Sequence, residues 1–300
     1  MATLSDTDSN PGALEAAGPN ADQIEYWNVV SGPKWVALGD RIDAQIASLG
    51  EEAMDRAGVA PGERVLDVGC GCGHTSVRLG ERVGPGGSVV GIDVSGVMLA
   101  SARQRAEAAD LGQVSFLNAD AQTHPFEEGS FDLVYSRFGV MFFSELGVAF
   151  RNLARALRPG GRLVFVCWQS LARNDWMRVP VAAAAAHVEI PAPADPHAPG
   201  PFAFADAERV RGFLEGAGLA PVEVESLDRE LAVGGGADLD ATVAFLLQMG
   251  PAGAALREAD EALRQRVAAS VREALAPYAG PAGVRMPAAA WLFDARRPRR

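Results

Sequence analysis

Three acidic residues close successive short apolar runs, and the first of them leads straight into alternating glycines. The segment reads Val65-Leu-Asp-Val-Gly-Cys-Gly-Cys-Gly-His74. Asp67 closes an apolar strand, Gly69, Gly71 and Gly73 make a turn, and a helix follows. Glycine is required where a ligand must approach the backbone and the chain must adopt angles that a Cβ forbids. The crevice at the carboxyl ends of strands in an open α/β sheet is where such ligands bind. The dinucleotide fingerprint spaces its glycines as G-x-G-x-x-G. Here the third glycine comes one residue early and His74 takes its place. Asp67 would also repel a pyrophosphate, so these residues favour a cationic, nucleoside-bearing ligand. Asp93 ends the second strand, where an acidic residue can bind ribose hydroxyls, leaving Ser95 to cap the following helix. Asp120, just after the third strand, can accept a hydrogen bond from an adenine amino group.

Residues of this kind need a rigid sheet to hold them. The candidate strands are Arg64–Val68, Ser88–Asp93, Val114–Asn118, Phe131–Ser136 and Arg162–Trp168. Most are nearly continuous in apolar residues, as expected when both faces of a sheet are covered. Helical patterns lie between them at Thr75–Val83, Gly96–Ala108 and Glu145–Leu157, the last with Ser144 as its N-cap. Strand–helix alternation of this kind predicts a doubly wound, mostly parallel sheet with right-handed crossovers. Upstream, Trp35, Leu38, Ile42, Ile46, Leu49 and Ala53 share one helical face, opened by Pro33 and stopped by Gly58. Downstream, prolines from Pro191 to Pro201 forbid a helix or central strand. Asp206 then caps a helix ending at Gly218, and Val222–Leu227 reads as a strand. Helices are expected near Leu239–Met249 and Ala254–Ala276, the second with Leu256, Leu263, Val267, Val271 and Leu275 on one stripe. A last strand, Ala288–Ala295, contains Trp291 and Phe293.

These patterns divide the chain into a mobile arm (1–22), a helical N-terminal cap (23–60), an α/β core (61–170) and a lid helix with a Pro-rich loop (171–205). The C-terminal part (206–300) completes the sheet around inserted helices at 237–277. The formal charge of −11, from 27 basic and 38 acidic side chains, argues against nucleic acid or an anionic membrane surface as partner. No apolar run approaches the roughly 20 residues of a membrane span, and no secretory signal opens the chain. Cys70, Cys72 and Cys167 are sparse and odd in number, as in a reducing cytoplasm. The expectation is a soluble cytoplasmic protein. Cys70, Cys72 and His74 do not complete the four ligands of a structural zinc, so no metal is expected.

Five segments taken in order resemble the successive motifs of class I S-adenosylmethionine (SAM)-dependent methyltransferases. They are Asp67-Val-Gly-Cys-Gly-Cys-Gly73, Gly91-Ile-Asp-Val-Ser95, Asn118-Ala-Asp-Ala121, Phe131-Asp-Leu-Val-Tyr-Ser136 and Leu157-Arg-Pro-Gly-Gly-Arg-Leu163. The likeness covers roughly residues 62–170 and is nearest to the small-molecule type 11 group, which is similar to quinone C-methyltransferases. Tyr26-Trp-Asn28, Trp35 and the strand around Trp291 resemble one bacterial branch of that group.

The resemblance implies a seven-stranded Rossmann-like sheet with an antiparallel last strand and a helical lid. It implies SAM as cofactor and S-adenosylhomocysteine as product. Asp67, Gly69 and Gly71 would line the methionine portion, with Asp67 near its ammonium and Cys70 between the glycines. Asp93 would bind the ribose, beside Val94, and Met98 would pack near the adenine, whose edge would meet Asp120 and Ala121. Ser136 would sit beside the reacting methyl. The acceptor would be a small, aromatic or lipophilic metabolite, held by candidates Trp27, Trp35, Arg137, Phe138 and Trp168. Arg137 is open to two roles, orienting an anionic oxygen or forming an ion pair. His124 and His187 lie nearest the segments expected to form the pocket; neither is assigned as a base, and no catalytic residue is named. The alternatives are an NAD-type oxidoreductase on the same sheet and a non-catalytic SAM-binding protein.

Overall fold

The computed structural model describes residues 14–191 and 195–299. Residues 1–13 of the expected arm, 192–194 of the Pro-rich loop and residue 300 lie outside the described residues. The strands are β1 (Arg64–Val68), β2 (Ser88–Asp93), β3 (Val114–Asn118), β4 (Phe131–Arg137), β5 (Leu157–Trp168), β6 (Val222–Ala232), β7 (Ala279–Gly280) and β8 (Gly283–Arg296). The helices before the long loop are α1 (Ala21–Glu25), α2 (Gly32–Ala57), α3 (His74–Val83), α4 (Gly96–Ala108), α5 (Leu146–Ala156) and α6 (Asp175–Ala185). After it come α7 (Ala207–Gly216), α8 (Leu239–Leu246), α9 (Gly250–Ala255) and α10 (Glu261–Leu275).

The sheet runs β3-β2-β1-β4-β5-β8-β6, and the two-residue β7 pairs only with β8. Strands β1 to β5 are mutually parallel, whereas β8 lies antiparallel to both β5 and β6. The expected mostly parallel sheet with an antiparallel last strand is therefore present. The dinucleotide fold runs 3-2-1-4-5-6 instead, so β8 separates the two architectures. Burial explains the apolar runs: Val65, Leu66, Val89, Ile92, Leu133 and Val134 are all inaccessible to solvent. Each such side chain contributes about 1.5–3 kcal/mol relative to exposure. Phe165 and Phe293 stack across β5 and β8 with centroids 4.7 Å apart. Helix α2 is pinned to the sheet where the buried Tyr135 hydroxyl donates to the Gly50 carbonyl at 2.9 Å.

Several boundaries differ from the sequence expectation. Helix α1 begins inside the stretch expected to be mobile, and Asn20 before it is buried. A π-helical turn, Tyr26–Val30, links it to α2. Ser144 does not cap α5; its hydroxyl bonds to the Gln122 side chain, and Glu145 holds the cap position. The long C-terminal helix is broken: Leu256 lies outside α10, which starts where the Asp260 carboxylate accepts the Leu263 N–H at 2.7 Å. Strands β6 and β8 are longer than expected because they pair continuously from Val222↔Ala295 to Ala232↔Arg285. No helix among the described residues is long and apolar enough to cross a membrane.

Candidate functional site

A cavity of about 270 Å³ opens at the carboxyl ends of β1, β2, β3 and β4. Its floor is made of residues that follow those strands, and its roof comes from α1, the π turn, the first half of α2, and Phe245, Leu246 and Met249 of α8 and beyond. Of the expected cofactor residues, Gly69, Cys70, Gly71, Asp93, Val94, Met98, Asp120 and Ala121 line it. Asp67 and Ser136 do not.

The glycine turn is built by close approach. Gly69 has φ +69°, and a Cβ there would lie 2.7 Å from the Gly139 Cα. Gly73, at φ +82°, begins α3 and would bring its Cβ to 2.9 Å from the Ala102 backbone. Asp67 sits beneath this turn, wholly buried. One of its oxygens accepts from the Thr75 hydroxyl at 2.6 Å and the Ser76 hydroxyl at 2.7 Å. The other is buried without a partner. Burial pushes the Asp67 carboxyl up to about 6, against the two hydroxyl bonds that pull it down.

Asp93 locks the turn to the next loop. Its Oδ2 accepts the Gly71 N–H at 2.8 Å and its Oδ1 the Ser95 N–H at 2.9 Å. Burial raises its carboxyl above the ordinary aspartate value. Ser95 serves as the N-cap of α4, so Asp93 is not needed for that task. Asp120 accepts the Gln122 N–H at 2.9 Å and the Asn20 amide at 3.4 Å, and burial raises it as well. Near these acids two further acceptors, Asn20 Oδ1 and Gln23 Oε1, are buried without partners on the cavity wall. Burial holds the Cys72 thiol up at about 11 and raises Cys70 too, so neither is a thiolate. Among the described residues no group of three or more His, Cys, Asp or Glu is placed to hold a metal ion.

Ser136 is a staple rather than a wall residue: its hydroxyl donates to the Val68 carbonyl at 2.7 Å and accepts the Gly139 N–H at 3.2 Å. That ties the end of β4 to the end of β1.

Away from the acids the wall is aromatic. Trp27, Trp35, Phe138 and Trp168 all line the cavity. Phe138 stacks on Trp168 at 4.1 Å, and Trp168 meets Trp176 at 5.1 Å. Trp27 makes edge contacts with Phe142 at 5.0 Å and Trp35 at 5.8 Å. Arg137 lines the cavity and forms an ion pair with Asp43 of α2 at 2.8 Å, with both side chains largely enclosed.

Sequence reasoning missed several wall residues. The histidine on the wall is His74, not His124 or His187. His74 Nε2 lies 3.2 Å from Asp40, and burial lowers its pKa below the ordinary imidazole value. His124 packs on Phe126, and His187 contacts Ser270. In the sequence His74 stands out only for falling where the third glycine of a dinucleotide fingerprint would be. Asn28, seen in the sequence only as part of Tyr26-Trp-Asn28, is not on the wall but braces it. Its amide donates to the Val94 carbonyl at 2.9 Å and its oxygen accepts the Gly96 N–H at 3.0 Å, clamping the π turn over β2.

Residues 65–161 match the methyltransferase domain family. Nocamycin O-methyltransferase of Saccharothrix syringae is 37% identical over 178 residues, covering 54% of this chain and 63% of that protein. Demethylmenaquinone methyltransferase of Thermus thermophilus is 46% identical over 112 residues, covering 37% of this chain and 50% of that protein. In both cases the chain spans less than two thirds of the relative's length. Among solved structures, phosphoethanolamine N-methyltransferase 2 of Haemonchus contortus, in complex with S-adenosylhomocysteine, superposes with a TM-score of 0.51. It is 19% identical and covers 84% of this chain and 52% of that one, a likeness of fold.

Proposed function

We propose, from the premise that residues 65–161 match the methyltransferase domain family, that the chain is a SAM-dependent methyltransferase acting on a small aromatic or lipophilic acceptor. One observation carries the reading: a single cavity joins a glycine turn and two acidic strand ends to an aromatic wall. The polar chemistry at the acidic end fits an adenosyl group. Asp93, Asp120, Asn20 Oδ1 and Gln23 Oε1 all present acceptors there, and the last two have no partner among the described residues. Ribose hydroxyls and an adenine amine are donors, whereas a pyrophosphate needs donors around it. This and the antiparallel β8 speak against the NAD-type alternative.

When bound, SAM supplies a methyl group on a positively charged sulfur. The chain's part is to hold, align and dry the site. Asp93 would take ribose hydroxyls through lone pairs left by its two backbone bonds, and Asp120 would meet the adenine edge. The Gly69–Gly73 turn lets the backbone lie against the ligand. The rings of Phe138, Trp168, Trp27 and Phe142 would enclose a flat apolar acceptor, exclude water and face a cationic sulfur favourably. The enclosed cavity and the −11 charge support a small molecule rather than nucleic acid as acceptor.

Calorimetric titration with S-adenosylhomocysteine should show binding, and labelled SAM should pass its methyl to an aromatic acceptor in a panel of phenols and quinols. Absence of S-adenosylhomocysteine binding would sink the cofactor reading. Binding without transfer to any acceptor tried, alongside transfer to a macromolecule, would sink the acceptor reading.

A further inference from the structure

Two of the five tryptophans use their indole N–H inside the protein. Trp176 donates to Asn174 Oδ1 at 3.1 Å, and Trp291 donates to the Ala205 carbonyl at 3.0 Å. Trp168 is 5% exposed, yet its indole N–H has no hydrogen-bond partner among the described residues. Nor is this nitrogen sealed in packing: the enclosed side-chain atoms without partners belong to Asn20, Gln23, Asp67, Arg209 and Asp294. The access it keeps is to the cavity that Trp168 lines. A buried Trp N–H ordinarily finds a partner, and one that does not calls for an explanation. Trp27 and Trp35 also leave their N–H groups free, but both are half-buried parts of the roof.

The ring that carries the Trp168 donor is fixed from both sides. Phe138 lies flat against it, with centroids 4.1 Å and planes 15° apart. Phe138 has φ +60°, a left-handed conformation that bulky side chains rarely adopt. Its N–H is anchored on the Val166 carbonyl at 2.9 Å, and such strain persists only where the surroundings over-determine it. Trp176 packs at 5.1 Å, tethered through the buried Asn174, which also accepts the Ala289 N–H at 3.1 Å. Trp168 ends β5, three strand spacings from β2, or about 14 Å. An adenosyl group on Asp93 stops short of it, so the donor belongs to the part of the cavity left for the acceptor.

An indole N–H donates and cannot accept. A phenol, phenolate or carbonyl oxygen suits it, whereas an aryl amine nitrogen, its lone pair drawn into the ring, is a poor acceptor. We propose that the Trp168 N–H is a specificity-determining donor that holds an oxygen on the acceptor ring, so that the acceptor is an oxygen-bearing aromatic rather than an aryl amine. This rests on the aromatic lobe being the acceptor site of a SAM-dependent methyltransferase. A ligand lacking that oxygen leaves the N–H unpaired, which is how a site built to hydrogen-bond one group rejects its analogue.

The test is calorimetry on the full chain saturated with S-adenosylhomocysteine, using 1-naphthol and 1-naphthylamine, two probes of one shape that differ in acceptor atom. Wild type should favour 1-naphthol about fivefold. Trp168→Phe keeps a ring against Phe138 but deletes the donor, and should cut the preference to within about twofold. Unchanged S-adenosylhomocysteine affinity reports an intact fold. Trp176→Phe, whose native N–H is already engaged, controls for lost ring area and should keep the preference. In wild type, 1-naphthol should also move the Trp168 indole N–H resonance downfield, which 1-naphthylamine should not, so the reading survives a variant that fails to fold. No preference in wild type, a preference that persists in Trp168→Phe, or an unmoved resonance would overturn the proposal. If S-adenosylhomocysteine binds but neither probe does, the aromatic-acceptor reading falls and takes the Trp168 assignment with it.

Discussion

Asp67 is buried and Asp93 half-buried at the same turn, and the two carboxylates do different work. Asp93 gives each oxygen to a backbone N–H, so its removal orphans Gly71 and Ser95 as well as any ribose contact. Asp93→Ala should lower S-adenosylhomocysteine affinity at least about tenfold, since charge-assisted hydrogen bonds are worth about 1.5–3 kcal/mol each. Calorimetry reads this directly, and wild-type affinity in the variant would refute the ribose role. Asp67 has its pKa raised from the ordinary 3.8 to about 6, chiefly by burial. The folded chain therefore holds that proton more tightly than the unfolded chain does. The resulting stability is fully present below the unfolded value and is lost as pH rises through about 6. Asp67→Asn abolishes this titration. Urea melts across a pH series should show the variant gaining on wild type between about pH 4 and about pH 7, by up to about 3 kcal/mol. A pH-independent difference would mean that Asp67 does not titrate in the folded state.

Among the elements, the π turn between α1 and α2 is held over the cavity by Asn28 and by the Ser95 hydroxyl, which donates to the Trp27 carbonyl at 2.8 Å. The Asn28 bonds to Val94 and Gly96 span the gap to the β2–α4 loop. Asn28→Ala should speed S-adenosylhomocysteine release in stopped-flow displacement and accelerate amide exchange across 21–31. Global stability should change by no more than about 1–2 kcal/mol. An unchanged release rate would exclude a role for the turn in retaining ligand. This element was not legible in the sequence, because what folds it is non-local: Asn28 reaches residue 94, and Asn20 reaches Asp120. By contrast β1, β2, β3 and α4 were readable to the residue. Their apolar runs, the glycine turn and the Ser95 cap are local signals that agree with the tertiary structure. Ser136 was misread because its hydroxyl meets backbone groups of two neighbouring segments, which no spacing reveals. The break before α10 was hidden because Leu256 kept the apolar period while Asp260 started a new helix. Arg137 stayed open in the sequence because Asp43, its partner, lies in a helix far upstream.

For the whole molecule, the cavity is where the N-terminal cap, the sheet and the α8–α9 region meet. A ligand that bridges them should couple their openings. At a concentration about 100 times its Kd, S-adenosylhomocysteine should add about 2.7 kcal/mol to unfolding. Amide exchange should slow together in 20–31 and in 239–250. Protection confined to the glycine turn would show that the roof moves independently of the floor.

Strand β8 carries a different consequence. It is built from residues 283–296, later in the sequence than every other strand, yet it lies between β5 and β6 in the sheet. A ribosome that has released everything up to Pro281 has already made the five parallel strands, the glycine turn and all three strand-end acids. The flank of β5, whose residues Leu163–Trp168 are fully or almost fully buried in the finished protein, then has no neighbour. Unpaired apolar edges of this kind recruit other chains. The nascent polypeptide is thus most adhesive just when its nucleoside cradle is complete. Newborn copies must be kept apart until the last strand slides into its slot.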